Sequence, residues 1–151
     1  FQAEDGIRDF CLSRGLGDVY KRQAPYLGGG FGHFYAYAPE KYEYPINRYA
    51  MEVKRQLDLL DKNLESRDNI SGGEYNISDI AIHSWYGTLV LNNAYNASEF
   101  LEVDSYKHLG RWAKQVTKRP AYKRGSLVNR KPKGPDDKSI LERHDSSDIK
   151  L

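Results

Sequence analysis

Arg48 is the side chain of this sequence whose type and position best suit binding chemistry. It stands in a segment of helical period, residues 44–64, beside Tyr44 and Arg55. At ~100° per residue it lies about 160–200° from that segment's apolar stripe. A guanidinium placed there can take a carboxylate by a two-pronged hydrogen bond. The simpler alternative is an exposed helix pair with Glu52, four residues on, and the residues alone favour that pairing. A second group is the dense aromatic run Phe31, His33, Phe34, Tyr35 and Tyr37. These rings could line an apolar pocket with polar tips, or simply pack beneath a loop. The sequence does not say which ring points inward. His33 has no identifiable acid–base partner, and no residue of the chain is assigned a catalytic role.

Other chemistries find less support. The four histidines, at 33, 83, 108 and 144, have no metal-ligand spacing, and no metal is expected. Gly28 to Gly32 (GGGFG) lacks the lysine and the preceding strand of a phosphate loop. Asn69, Asn76 and Asn96 each open an Asn-x-Ser triplet. With no leader sequence in view these read as chance matches, and Asn76 is better explained as a helix cap. Residues 111–133 carry nine Lys or Arg and no acid. Aromatic interleaving is thin there, so a solvated face plus tail is favoured over a nucleic-acid surface. The formal charge of +2 calls for no polyanionic partner. No apolar run approaches the roughly 20 residues that span a bilayer. One cysteine, Cys11, allows no internal disulfide framework. A cytoplasmic protein, bound neither to nucleic acid nor to membrane, is the expectation.

The elements that must position these residues are helical, and the predicted fold class is all-α. The strongest helix covers residues 44–64, with Ile46, Tyr49, Ala50, Val53, Leu57, Leu60 and Leu64 on one stripe. After Gly72-Gly73, Asn76 can cap a new helix, and Asp79 can reach back to the cap residue's own N–H. Tyr75 and Ile80 are spaced for a hydrophobic staple. This helix is expected to run to about residue 93, burying Ile77, Ile80, Ala81, Trp85 and Leu89. A shorter helix over residues 105–117 turns Leu109, Trp112, Ala113 and Val116 inward. Pro120 then opens a short helix at its first position, where a missing N–H costs nothing. Four glycines between 28 and 32 predict the end of a helix followed by an aromatic loop over residues 25–39. Beyond Val128 an extended tail is expected.

The first 23 residues do not match the rest. Residues 2–9 (QAEDGIRD) are the translation of a sequencing-library adapter, and residues 13–23 (SRGLGDVYKRQ) that of a transposon-ended primer. The expectation is that residues 1–23 are adapter-derived and outside the fold. Residues 24–151 are then the natural part, with 19 basic and 17 acidic residues, no cysteine and a missing N-terminus.

Order, spacing and caps in residues 24–151 resemble the C-terminal helical domain of cytosolic glutathione transferases. The Asn76/Asp79 cap is similar to that family's capping-box helix, and YKHLGRWA (106–113) closing at Arg119-Pro120-Ala121 is similar to its late helix. Within the family the chain resembles the nu class of disulfide-bond oxidoreductases. The segments carrying this are APYLGGGFGHFYAYAP (24–39), YPINRYAMEVKRQLDLL (44–60) and LERHDSSD (141–148). His83-Ser84 departs from the Trp-Pro of those relatives, which leaves the local pocket wall open but not the fold.

The resemblance implies a helical bundle with an extended C-terminal tail, cut from a thioredoxin-like domain that would hold most of the glutathione and stabilise its thiolate. It implies two glutathiones, or glutathione disulfide, as ligands, a small disulfide or peroxide as the other substrate, and a homodimer when intact. It turns the reading of Arg48 from surface pair to glutathione contact. It adds Arg130, in VNR (128–130), as a residue that could reach glutathione as the tail folds over. His33, Tyr35 and Tyr37 complete the expected binding set. The alternative is a non-catalytic binding or assembly domain of the same shape within a larger protein.

Overall fold

The computed structural model describes residues 23–126. Helices dominate, and among the described residues there is no strand. A π-helical segment (Gln23–Tyr37) opens the chain. It is followed by α1 (Glu43–Leu64) and α2 (Ile77–Ile82), a π-turn (His83–Gly87), α3 (Thr88–Val90), a 3-10 turn (Val103–Ser105), α4 (Lys107–Thr117) and α5 (Pro120–Gly125). The chain divides into two compact units between Lys114 and Gln115. The second unit, as far as it is described, holds the end of α4 and α5, whose first residue is Pro120 as expected.

α1 has the predicted period and buries Ala50, Val53, Leu57, Leu60 and Leu64. Ile46 and Tyr49, at its start, are half-buried. α4 buries Leu109, Trp112, Ala113 and Val116, the residues the sequence nominated. It begins at Lys107 rather than residue 105, because the 3-10 turn occupies the preceding residues. α1 and α4 close each other's ends. The Asp61 carboxylate accepts from the first-turn amide of Leu109 at 2.8 Å. Arg111 donates to the carbonyls of Leu64 (2.8 Å) and Arg67 (2.7 Å) and pairs with Asp68. A cation is thus set on the carbonyl end of a helix, and an anion on the amide end of another, as the helix dipole favours.

The capping box forms as predicted. Asn76 Oδ1 accepts from Ser78 N–H at 2.9 Å, and Asp79 Oδ2 accepts from Asn76 N–H at 3.0 Å. Asp79 does more than cap. It is fully buried, and its Oδ1 also accepts from the Ile70 amide (2.9 Å) and the Trp112 indole (2.8 Å). Placing Asp79 inward overturns part of the expected core face. Ile77 and Ile80 are 79% and 53% exposed, and Ala81 and Trp85 are only half-buried. The buried face is instead Asp79, Ile82, His83, Tyr86 and Leu89. An apolar count puts isoleucines inside, but the carboxylate with three donors fixes the rotation of the helix.

The glycine-rich stretch also departs from expectation. It is a helix with wide, i→i+5 turns, not a loop, and its last bond runs from Ala38 N–H to the His33 carbonyl at 2.7 Å. Propensity opposes this, and packing overrides it. A Cβ on Gly30 would overlap the Tyr49 ring, and one on Gly32 would overlap the Tyr95 ring. Bare Cα atoms let this segment lie directly against aromatic rings, with Leu27 and Phe31 buried.

Candidate functional site

Arg48 is exposed on α1 and makes no hydrogen bond or ion pair with another described residue. The pairing with Glu52 that the residues alone favoured is not formed. Glu52 is nearly buried, and its carboxylate faces Arg55 (2.8 Å to Nη2) and the Gln56 amide (3.0 Å). Gln56 in turn accepts from the Tyr86 hydroxyl, so a buried chain Tyr86–Gln56–Glu52–Arg55 runs from core to surface. Glu52 is spent on that chain, and the Arg48 donor fork is unused among the described residues.

The aromatic residues separate into two clusters. In one, His33 meets Phe34 edge-on (5.1 Å, 80°), Phe34 stacks on Tyr49 (5.7 Å, 12°), and Tyr26 tilts against Tyr49 (6.3 Å). Tyr49 is the neighbour of Arg48, so His33 is joined through two rings to the turn of α1 that carries the Arg48 guanidinium. In the other, Phe31 stacks on Tyr35 (4.9 Å, 17°) and on Phe100 (6.1 Å, 17°), and Tyr95 meets both Phe31 and Tyr37 edge-on. Phe31 is the ring that points inward; Tyr37 is 72% exposed. The structure therefore brings His33 toward the Arg48 turn and sets Tyr35 and Tyr37 in a separate cluster. Arg130 lies outside the described residues.

Tyr95 and Phe100 were missed from the sequence. They sit in the connection after α3, where Asn92, Tyr95, Asn96 and Glu102 all take left-handed backbone (φ 57°, 59°, 52° and 55°). Such conformations cost of order 1–3 kcal/mol each. At Tyr95 the strain presses the ring against Gly32 and Phe31. Burial raises the Tyr95 hydroxyl pKa above its usual value, helped by Tyr37. The two asparagines were the one available signal for such a loop.

The π-turn falls on the departure at His83-Ser84. His83 is buried, and its Nε2 donates to the Ala113 carbonyl at 3.1 Å, which places the proton of the neutral ring on Nε2. Burial pushes its pKa below 6.5, and the bond to Ala113 partly opposes that. Two carbonyls at the turn also take hydroxyl donors: Ile80 from Ser84 (3.0 Å) and Ser84 from Thr88 (3.0 Å). His83 is thus a satisfied core residue. Among the described residues no group of three or more His, Cys, Asp or Glu could hold a metal ion, and no helix is long and apolar enough to cross a membrane.

No protein-family profile matches the chain. Individual proteins do. It is 57% identical over 126 residues to the disulfide-bond oxidoreductase YghU of Escherichia coli, covering 83% of this chain and 43% of that protein. The glutathione transferase YghU from Streptococcus pneumoniae, crystallised with glutathione, superimposes with a TM-score of 0.70 at 50% identity, over 83% of this chain and 48% of that one. The chain belongs to the glutathione-transferase family. A Pseudomonas putida glutathione transferase with one glutathione disulfide per subunit is similar at 31% identity and TM-score 0.63, over 82% and 53% of the two chains. Each of these glutathione transferases is about twice as long as the stretch matched. The all-α fold expected for a glutathione-transferase C-terminal domain is the fold observed.

Proposed function

We propose that this chain forms the second-substrate wall of a glutathione-dependent disulfide reductase or glutathione transferase, in which a thioredoxin-like domain stabilises the reacting thiolate. The observation that carries this reading is the exposed Arg48, without a polar partner among the described residues, in a chain similar to proteins crystallised with glutathione or its disulfide. Arg48, Arg130, His33, Tyr35 and Tyr37 are the proposed binding residues. The guanidinium of Arg48 takes a glutathione carboxylate, and the aromatic tips flank the tripeptide. A glutathione thiolate attacks one sulfur of a small disulfide and expels the other as thiolate. A second glutathione thiolate then attacks the glutathione sulfur of the mixed disulfide. That step releases glutathione disulfide and the second thiol. Small peroxides are a further proposed substrate class. The intact protein is proposed to be a cytoplasmic homodimer, and this chain alone to have no turnover.

Residues 1–23 are proposed to take no part. Gln23 departs from that boundary: it is buried as the first residue of the π-helical segment, with its Nε2 lacking a partner among the described residues.

The test is calorimetric titration of glutathione and its disulfide into the protein joined to its thioredoxin-like domain. Arg48→Ala should weaken binding by about 1.5–3 kcal/mol, the range for a hydrogen bond to a charged group. Arg48→Lys should fall between, since an ammonium cannot grip two oxygens at once. Stability should change by less than about 0.5 kcal/mol. Equal affinities in all three proteins would return Arg48 to the plain surface.

A further inference from the structure

We infer that Met51 is an oxidative modification site: a peroxide converts its thioether to the sulfoxide, and the new oxygen captures the Arg48 guanidinium. Met51 is the one methionine of the chain. It lies within α1, where Val53, Leu57 and Leu60 are fully buried, yet it is itself 69% exposed. Burial therefore gives no reason for an apolar side chain at this position. At that exposure a dissolved peroxide reaches the sulfur, and access decides which sulfurs are oxidised.

The neighbours give the oxidation a consequence. Arg48 stands three residues before Met51 and Arg55 four residues after it, so all three share one face of α1. Helical side chains lean toward the preceding turn, which carries the Met51 side chain to Arg48 rather than to Arg55. Arg55 is also held by the Glu52 carboxylate through Nε and Nη2. Arg48 has no hydrogen bond or ion pair with another described residue. A thioether is a weak acceptor and offers that guanidinium little. Oxidation makes the same side chain polar, with an acceptor oxygen one turn from the Arg48 donors. In the reaction the sulfur lone pair attacks the distal peroxide oxygen. The O–O bond breaks, the S–O bond forms, and the proton on that oxygen passes to the departing alkoxide. The peroxide is reduced to an alcohol, or to water if it is hydrogen peroxide. A methionine sulfoxide reductase, supplied with a thiol reductant, reverses the change. Only the effect on glutathione rests on the contact proposed above for Arg48; the modification and the capture do not.

The test treats the full 151-residue chain with hydrogen peroxide and maps it by peptide mass spectrometry, which separates Met51 from Cys11. Met51 should gain one oxygen about as fast as a free methionine amide. Phenylglyoxal, which modifies guanidinium groups, then reads the state of Arg48. Its reaction at Arg48 should slow about fivefold in the oxidised chain, the equivalent of one ordinary hydrogen bond. The rate should recover after treatment with the reductase and dithiothreitol. In Met51→Leu, a swap that conserves volume and helix propensity, peroxide should leave Arg48 unchanged. Arg124, exposed on α5, should react alike throughout. A Met51 that resists oxidation, or an Arg48 equally reactive before and after it, would overturn the assignment. In the protein joined to its thioredoxin-like domain, oxidation should also weaken glutathione binding. Shielding of Arg48 with unchanged glutathione affinity would uphold the Met51 assignment and remove the glutathione contact instead.

Discussion

Around Asp79 and along the π-helical segment, the same kinds of residue serve opposite ends. Asp79 sits at zero exposure with three donors from three parts of the chain, Asn76, Ile70 and Trp112. Its bonding capacity is used internally. Arg48, His33 and Tyr37 are exposed, and Arg48 has no polar partner among the described residues. The difference separates residues that hold the fold from the residues proposed here to bind a ligand. Charge alone does not make that distinction: Glu52 and Arg48 are four residues apart on one helix, yet only Glu52 is drawn into the interior.

The largest effect should come from breaking the first region. Asp79→Ala strands three buried donors and should cost about 3–5 kcal/mol, read from the urea midpoint. A loss under about 1 kcal/mol would mean that water or relaxation satisfies those groups and that Asp79 is an ordinary cap. The π-helical segment should respond less. Gly30→Val forces a branched side chain into the Tyr49 ring, and overpacking of that kind costs about 1–3 kcal/mol. In a double-mutant cycle with Tyr49→Ala the two changes should be strongly non-additive; strict additivity would show that the ring and the glycine do not meet.

The smallest effect is pH-dependent. His83 titrates below 6.5 in the fold because it is buried. On acidification the unfolded chain therefore takes up its proton first, and stability falls as the pH drops from about 6.5 toward the depressed value. Above that window the contribution is complete and flat. The slope of stability against pH between about 7 and 5.5 should diminish in His83→Gln. An identical slope would assign the dependence to other groups.

Much of this was legible in the sequence. The stripe of α1, the Asn76/Asp79 cap, the inward face of α4 and the proline start of α5 all follow from local spacing. What stayed hidden depended on partners distant in the chain. Nothing near Ile77 or Ile80 announces that Trp112 and Ile70 will claim Asp79 and turn both isoleucines outward. Nothing near Gly30 announces Tyr49, so a helix read as a loop. Arg48 was singled out by its angle from the stripe, and only the family resemblance turned its reading from surface pair to ligand contact. Its lack of a polar partner among the described residues was not legible, because the pull of Arg55 and Gln56 on Glu52 is a matter of three-dimensional burial.

The closure of α1 by Arg111 also sets a clock. The carbonyl of Leu64 and the guanidinium that caps it are 47 residues apart. During synthesis at roughly 5–20 residues per second, α1 waits about 2–9 s with an open end before its cap has been made. The Asp61 carboxylate waits nearly as long for the Leu109 amide, 48 residues downstream. Both are satisfied by one event, the arrival of α4, so a nascent chain stalled before Leu109 leaves the Leu64 carbonyl and the Asp61 carboxylate without these partners.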